Sequence, residues 1–67
     1  MKPEEVFGVN AGKVWHALNS KGPLTASMIS KETKLKINEV YGALGWLGRE
    51  GKIEIINDKK GFLYKLV

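Results

Sequence analysis

Residues 24–53 of this 67-residue chain read LTASMISKETKLKINEVYGALGWLGREGKI. The apolar residues recur at helical spacing over 26–33 and again, for longer, over about 37–50. The short segment 34–36 (Lys-Leu-Lys) separates the two helices, and we expect its central residue, Leu35, to fill the corner where they meet. A short helix, a turn and a longer helix in this order are typical of a helix-turn-helix.

The flanking residues add a small sheet to this pair of helices. Leu24-Thr25 is too short for a full strand but long enough to pair along a sheet edge, and Thr25 is also a suitable N-cap for the helix that follows. Residues 52–56 are rich in β-branched side chains, 57–61 have turn composition, and 62–67 return as a second strand. We interpret this hairpin as the wing of a winged helix-turn-helix.

A further helix precedes the block. Its apolar positions predict helix from about Asn10 to Asn19, and Pro3 suits an earlier start, although Gly8 weakens that part. Gly22-Pro23 ends the helix, because glycine terminates helices and proline does not continue them. The predicted fold is α+β: one winged helix-turn-helix domain over residues 1–67, with three helices, a short first strand and a two-stranded wing.

Composition narrows the class of protein. With 43% hydrophobic residues the chain is too apolar for disorder, and no apolar run approaches the roughly 18 residues that cross a bilayer. There is no cysteine, which excludes disulfides and thiolate metal sites and is compatible with a reducing cytoplasm. The formal net charge of +4 weakly favours a polyanionic partner.

Successive residues of the longer helix lie about 100° apart. This spacing predicts a buried face made of Ile37, Val40, Tyr41, Leu44, Leu47 and Gly48. Asn38, Gly42, Gly45, Trp46 and Arg49 are predicted to point the other way. We expect Gly48 to let the first helix approach closely, and we expect Trp15, beside Phe7 and Leu18 on the first helix, to belong to the core.

Lysines predict a nucleic-acid surface. Lys31, Lys34 and Lys36 surround the helix-turn-helix corner, and Lys59 and Lys60 fall at the wing turn, so that they would hold phosphates on either side of the longer helix. Asn38 and Glu39 would meet base edges, because Asn pairs with adenine and Glu accepts from cytosine. The alternative is that all of them are ordinary solvated residues.

A second predicted surface is the strip of Gly42, Gly45, Trp46 and Arg49. Each interior helical glycine costs about 1 kcal/mol relative to alanine, and Trp and Arg are enriched at binding hot spots. Three alternatives stay open for Trp46: packing onto the domain's own wing or terminus, a protein interface (most simply a two-fold homodimer), and stacking on a nucleobase.

Nothing in the pattern indicates catalysis. The lone His16 lies opposite the apolar stripe of its helix, with no second imidazole or thiol to share a metal. The series Gly42, Gly45, Gly48 is no phosphate loop, because it falls within a helix and lacks the preceding strand and tight turn. We expect no catalytic residue, no metal and no cofactor.

Phe62 and Tyr64 share one face of the last strand and are expected to pack on the sheet.

Two segments, NAGKVW at 10–15 and ALGWLGREGKI at 43–53, resemble a known family. It comprises small, stand-alone prokaryotic winged helix-turn-helix proteins of uncharacterised function, and the similarity covers roughly residues 8 to 56. The resemblance implies the winged-helix fold and a cytoplasmic location, and it supplies no ligand.

Together these features favour a non-enzymatic, dimeric, DNA-binding winged helix, with transcription regulation as its suggested role and double-stranded DNA as its partner. The alternative is a winged helix that binds another protein, or its own copy, through the Trp46 strip without reading DNA. Fold alone does not choose between them.

Overall fold

The computed structural model describes residues 1–59 and 61–67. The chain begins with a wide helical turn, Glu4–Gly8, which runs directly into α1, Val9–Lys21, because Gly8 itself has helical backbone angles. The first helix therefore starts earlier than Asn10. It ends as predicted at Gly22, whose φ of 81° favours glycine and whose N–H donates to the carbonyl of Leu18 over 2.9 Å.

Two further helices follow. They are α2, Ala26–Thr33, and α3, Ile37–Arg49, which is unbroken despite its glycines. Thr25 caps α2 by accepting a hydrogen bond at Oγ1 from the N–H of Met28, at 3.2 Å. These elements agree with the predicted helix-turn-helix.

The wing is an antiparallel hairpin of β1, Ile53–Asp58, and β2, Gly61–Leu66. β1 extends to Asp58 and β2 begins at Gly61, so both strands reach into the segment predicted as turn. The stub strand is also present, since Leu24 and Tyr64 exchange two backbone hydrogen bonds of 3.0 and 2.8 Å. The fold is thus three helices on a small sheet in which β2 lies between β1 and the stub.

The core lies where the three helices meet β2. Its buried members are Ala11, Val14, Leu18, Ala26, Ile29, Leu35, Val40, Ala43, Leu44, Leu47 and Tyr64. Leu35 fills the corner between α2 and α3, as predicted. Trp15 packs against this cluster but is only partly buried.

The predicted buried face of α3 is partly wrong. Val40, Leu44 and Leu47 are buried, but Ile37 and Tyr41 are about half exposed, and Gly48 is exposed with open space where a Cβ would lie. The centre of the buried face lies instead between Val40 and Leu47, roughly 50° around the helix from the predicted centre and towards Ala43. Ala43 has no exposed surface because its small side chain permits close packing at this position.

Candidate nucleic-acid interface

Hydrogen bonds hold the turn between α2 and α3 in one conformation. The hydroxyl of Ser30 donates to the carbonyl of Leu35 over 2.6 Å, and that of Thr33 donates to the carbonyl of Ile29 over 2.7 Å. Lys34 ends α2 with a left-handed backbone, at φ of 62°. Residues other than glycine and asparagine rarely adopt this conformation. The turn therefore presents Lys34 and Lys36 to solvent on a fixed backbone.

The first turn of α3 carries the two residues predicted to meet base edges. Asn38 is exposed and its Oδ1 accepts from the N–H of Glu39 over 2.9 Å. Glu39 is half-buried, and its Oε1 accepts from the N–H of Lys36, also over 2.9 Å. Each side chain thus uses an acceptor to cap the helix, which leaves the amide N–H groups of Asn38 as the donors available to a base.

The predicted phosphate-binding lysines are exposed. Lys31, Lys34, Lys36 and Lys59 belong to none of the ion pairs found among residues 1–59 and 61–67. Those pairs join Lys21 to Glu32, Lys52 to Glu50, and Lys65 to Glu54 at 3.6 to 3.9 Å. Lys60, the remaining predicted lysine, lies outside the described residues. Lysines outside these ion pairs therefore lie at the start of α3 and at the wing turn, where Glu39 and Asp58 are the neighbouring carboxylates.

The bare strip predicted around Trp46 does not exist as a single surface. Trp46 is half-buried and packs against the core, and the ring of Phe7 stacks on it with centroids 6.2 Å apart and planes 22° from parallel. The prediction that Trp46 points away from its own core was therefore wrong. The helical turn Glu4–Gly8 covers it, which is the terminus-packing alternative left open above.

The two glycines of the strip have different surroundings. A Cβ on Gly42 would lie 2.9 Å from the Phe7 ring, so this glycine makes room for the aromatic stack. Gly45 faces open space, and it lines a different groove, between α3 and the hairpin. Arg49 is exposed at the end of α3. Of the four predicted interface residues, Gly42 and Trp46 thus lie against Phe7, while Gly45 and Arg49 are exposed.

This division predicts opposite behaviour for two alanine substitutions. We expect Gly45→Ala to raise the free energy of unfolding by about 1 kcal/mol, because alanine favours helix and nothing obstructs its methyl group. Gly42→Ala should lose that gain, because its methyl group displaces Phe7 from Trp46. Thermal unfolding measures the stabilities, and acrylamide quenching of Trp46 in a Trp15→Phe background reports its exposure. Equal stabilisation by both alanines would contradict the Phe7 contact.

The α3–hairpin groove contains residues that sequence reasoning assigned elsewhere. Tyr41, predicted to lie on the buried face of the longer helix, is 55% exposed, and Phe62, expected to pack on the sheet, is 54% exposed. Tyr64 is buried as expected, and burial together with neighbouring Tyr41 raises the pKa of its hydroxyl. Two signals were available: a helix phase centred between Val40 and Leu47 turns Tyr41 outward, and a hairpin of this length extends beyond a small core.

Other site classes find no support in the described part of the chain. No group of three or more His, Asp or Glu side chains there is arranged to hold a metal ion. His16 is exposed, as predicted, with its ring edge-on to Trp15. None of the helices in these ranges combines the length and apolar character that a bilayer crossing requires.

Two known proteins are similar to this chain over most of its length. The uncharacterised protein MJ1608 of Methanocaldococcus jannaschii is 39% identical over 63 residues, which cover 90% of this chain and 89% of the relative. The solution structure of protein BT2368 from Bacteroides thetaiotaomicron superimposes with a TM-score of 0.90 at 31% identity, covering 97% of this chain and 79% of that one.

A third similarity concerns the fold alone. The Zalpha domain of PKZ from Carassius auratus, crystallised in complex with Z-DNA, superimposes with a TM-score of 0.82 at 24% identity. The match covers 91% of this chain and 97% of that domain. The family model described as "Winged helix-turn-helix domain (DUF2582)" matches residues 1–65, and the chain belongs to this family.

Proposed function

We propose that this chain is a non-enzymatic winged-helix module that binds DNA through the start of α3 and the wing. The observation that carries the proposal is the set of exposed lysines outside the ion pairs described above. Lys34 and Lys36 flank the N-terminus of α3, and Lys59 lies at the wing turn. The Z-DNA complex of the Zalpha domain supports it by analogy, since that domain has the same fold.

In this proposal the lysines bind phosphates and position the nucleic acid. Lys31 and Lys60 would add to the three lysines just named. Asn38 would be the main contact to a base edge, while Glu39 acts chiefly as a helix cap. Most of the affinity would therefore be electrostatic and only weakly dependent on sequence. Transcription regulation, a homodimer and a cytoplasmic location stay predictions.

Salt dependence tests the proposal. If three lysines each neutralise a phosphate, duplex affinity should fall about 40-fold between about 50 and 200 mM salt, because bound phosphates release their counterions. Fluorescence anisotropy with a labelled random-sequence duplex measures this change. In a parallel amide-shift titration, residues 34–42 and the wing should respond together. Absence of detectable binding at the lower salt concentration would reject the proposal.

A further inference from the structure

The groove between α3 and the hairpin is lined mainly by apolar and aromatic side chains. It consists of two adjoining cavities of about 530 and 200 Å³, and Tyr41 and Tyr64 line both. The larger also contains Gly45 and Ile55, and the smaller contains Phe62. The described lining residues of the two cavities include no Asp, Glu, Lys, Arg or His.

Three large apolar side chains of this groove are more than half exposed. Ile55 and Phe62 lie on the hairpin face that carries Tyr64, and they are 59% and 54% exposed, while Tyr41 faces them from α3 at 55%. A 67-residue domain has few apolar side chains to leave in water, since its core is small. Contiguous exposed apolar surface of this kind marks a binding site.

The charges around the groove select its occupant. Lys36 lies at one end of α3 and Lys59 at the hairpin turn, and the formal net charge is +4. A second copy docked here would bring two sets of lysines together, and like charges would oppose the contact. A ligand that matches both the lysines and the aromatic lining is polyanionic and also offers flat apolar faces.

Nucleobases have such faces, but a B-form duplex hides them within its stack and offers only base edges to a protein. A single strand exposes them. Aromatic side chains in a positively bordered groove are the arrangement by which proteins bind single strands, the bases stacking on the rings while cations hold the phosphates.

We propose that the α3–hairpin groove binds single-stranded nucleic acid, with bases stacked on Tyr41 and Phe62. The inference rests on the proposed function, and it adds the form of the ligand. Gly45 contributes by leaving the α3 side of the groove open. Apart from its chain neighbours and the nearby backbone of α3, no atom lies within 4 Å of the position that a Cβ would occupy. Because stacking accepts every base, binding is expected to be tolerant of sequence.

The test compares strands and side chains at one salt concentration. The probes are oligothymidylate and oligouridylate of about 15 nucleotides, and a DNA duplex of equal length. We expect a single strand to bind more tightly than the duplex, and Tyr41→Ala or Phe62→Ala to weaken it by about 5- to 150-fold. Tyr41→Phe should retain the affinity because the ring remains. Whether the DNA or the RNA strand binds better identifies the source of the ligand.

Val9→Ala is the matched control, since Val9 is an apolar side chain 57% exposed on α1. It should leave affinity unchanged, and circular dichroism should show all variants folded. Duplex binding that is tighter than single-strand binding, or single-strand binding that neither aromatic substitution weakens, would overturn this inference and leave the proposed function standing. No binding of any probe would overturn both. A dimer that Tyr41→Ala or Phe62→Ala converts to monomer would assign the groove to a second copy and also overturn the inference.

Discussion

Ile29→Ala should lower the free energy of unfolding by about 2 to 5 kcal/mol. Ile29 has no exposed surface, and its helix, α2, packs against α1, α3 and β2 at once. The missing atoms would therefore leave a cavity in the core on which α2 packs. The total stability of a domain this small is of the same order as the expected loss, so a large unfolded fraction should appear at ambient temperature.

Thermal unfolding followed by circular dichroism measures the effect, and the midpoint should fall by roughly 8 °C or more. Met28→Ala is the matched control, because Met28 is the preceding residue of α2 and is 49% exposed. We expect its change to stay within about 0.5 kcal/mol. Similar losses at both positions would contradict the placement of the core beneath α2.

The second large effect is expected on binding. The triple variant Lys34→Gly, Lys36→Ala, Lys59→Ala should reduce duplex affinity at about 50 mM salt by at least about 40-fold. Three lost phosphate contacts should also make the slope of log affinity against log salt shallower by about 2.7. Glycine is chosen at position 34 because Lys34 has a left-handed backbone, so this change relieves strain while it removes the charge. Unfolding would then not explain weaker binding.

A second triple variant supplies the charge-matched control: Lys2→Ala, Lys13→Ala, Lys21→Ala. Both triples lower the formal net charge of +4 by three, but these lysines lie on the N-terminal segment and α1. Lys21 does bridge Glu32 over 3.9 Å, but both side chains are about half exposed and such surface pairs contribute little. Equal losses of affinity in the two triples would show that net charge alone attracts the DNA, which would contradict the proposed surface.

The boundaries of the helix-turn-helix followed from local chemistry. Thr25 caps α2, Gly22 ends α1, and α3 is continuous because its apolar spacing outweighs the glycines within it. These features depend on neighbours within a few residues, which is the range over which a sequence pattern is informative. Family resemblance at 43–53 pointed to the same fold.

Because sequence patterns report only on nearby residues, they predicted the exposed lysines of the candidate site but not its exposed aromatic side chains. The exposure of Lys34, Lys36 and Lys59 followed from their placement in turns, where side chains are solvated. Tyr41 and Phe62 were assigned to packing, because hydrophobic character alone does not show whether a side chain has a partner. That depends on where the small core ends along α3 and the hairpin, which local spacing does not specify.

The sequence by itself determined the order of elements, the unbroken α3 and the basic character of its surroundings, because helix spacing, caps and charge are local properties. Only the tertiary structure decided which aromatic rings are covered. Phe7, on a helical turn that ends at Gly8, folds over Trp46 and removes the predicted strip, while Tyr41 and Phe62 stay open across the α3–hairpin groove. These outcomes depend on contacts between segments distant in the chain, and the free energy of such contacts is set by how the surfaces fit together once folded.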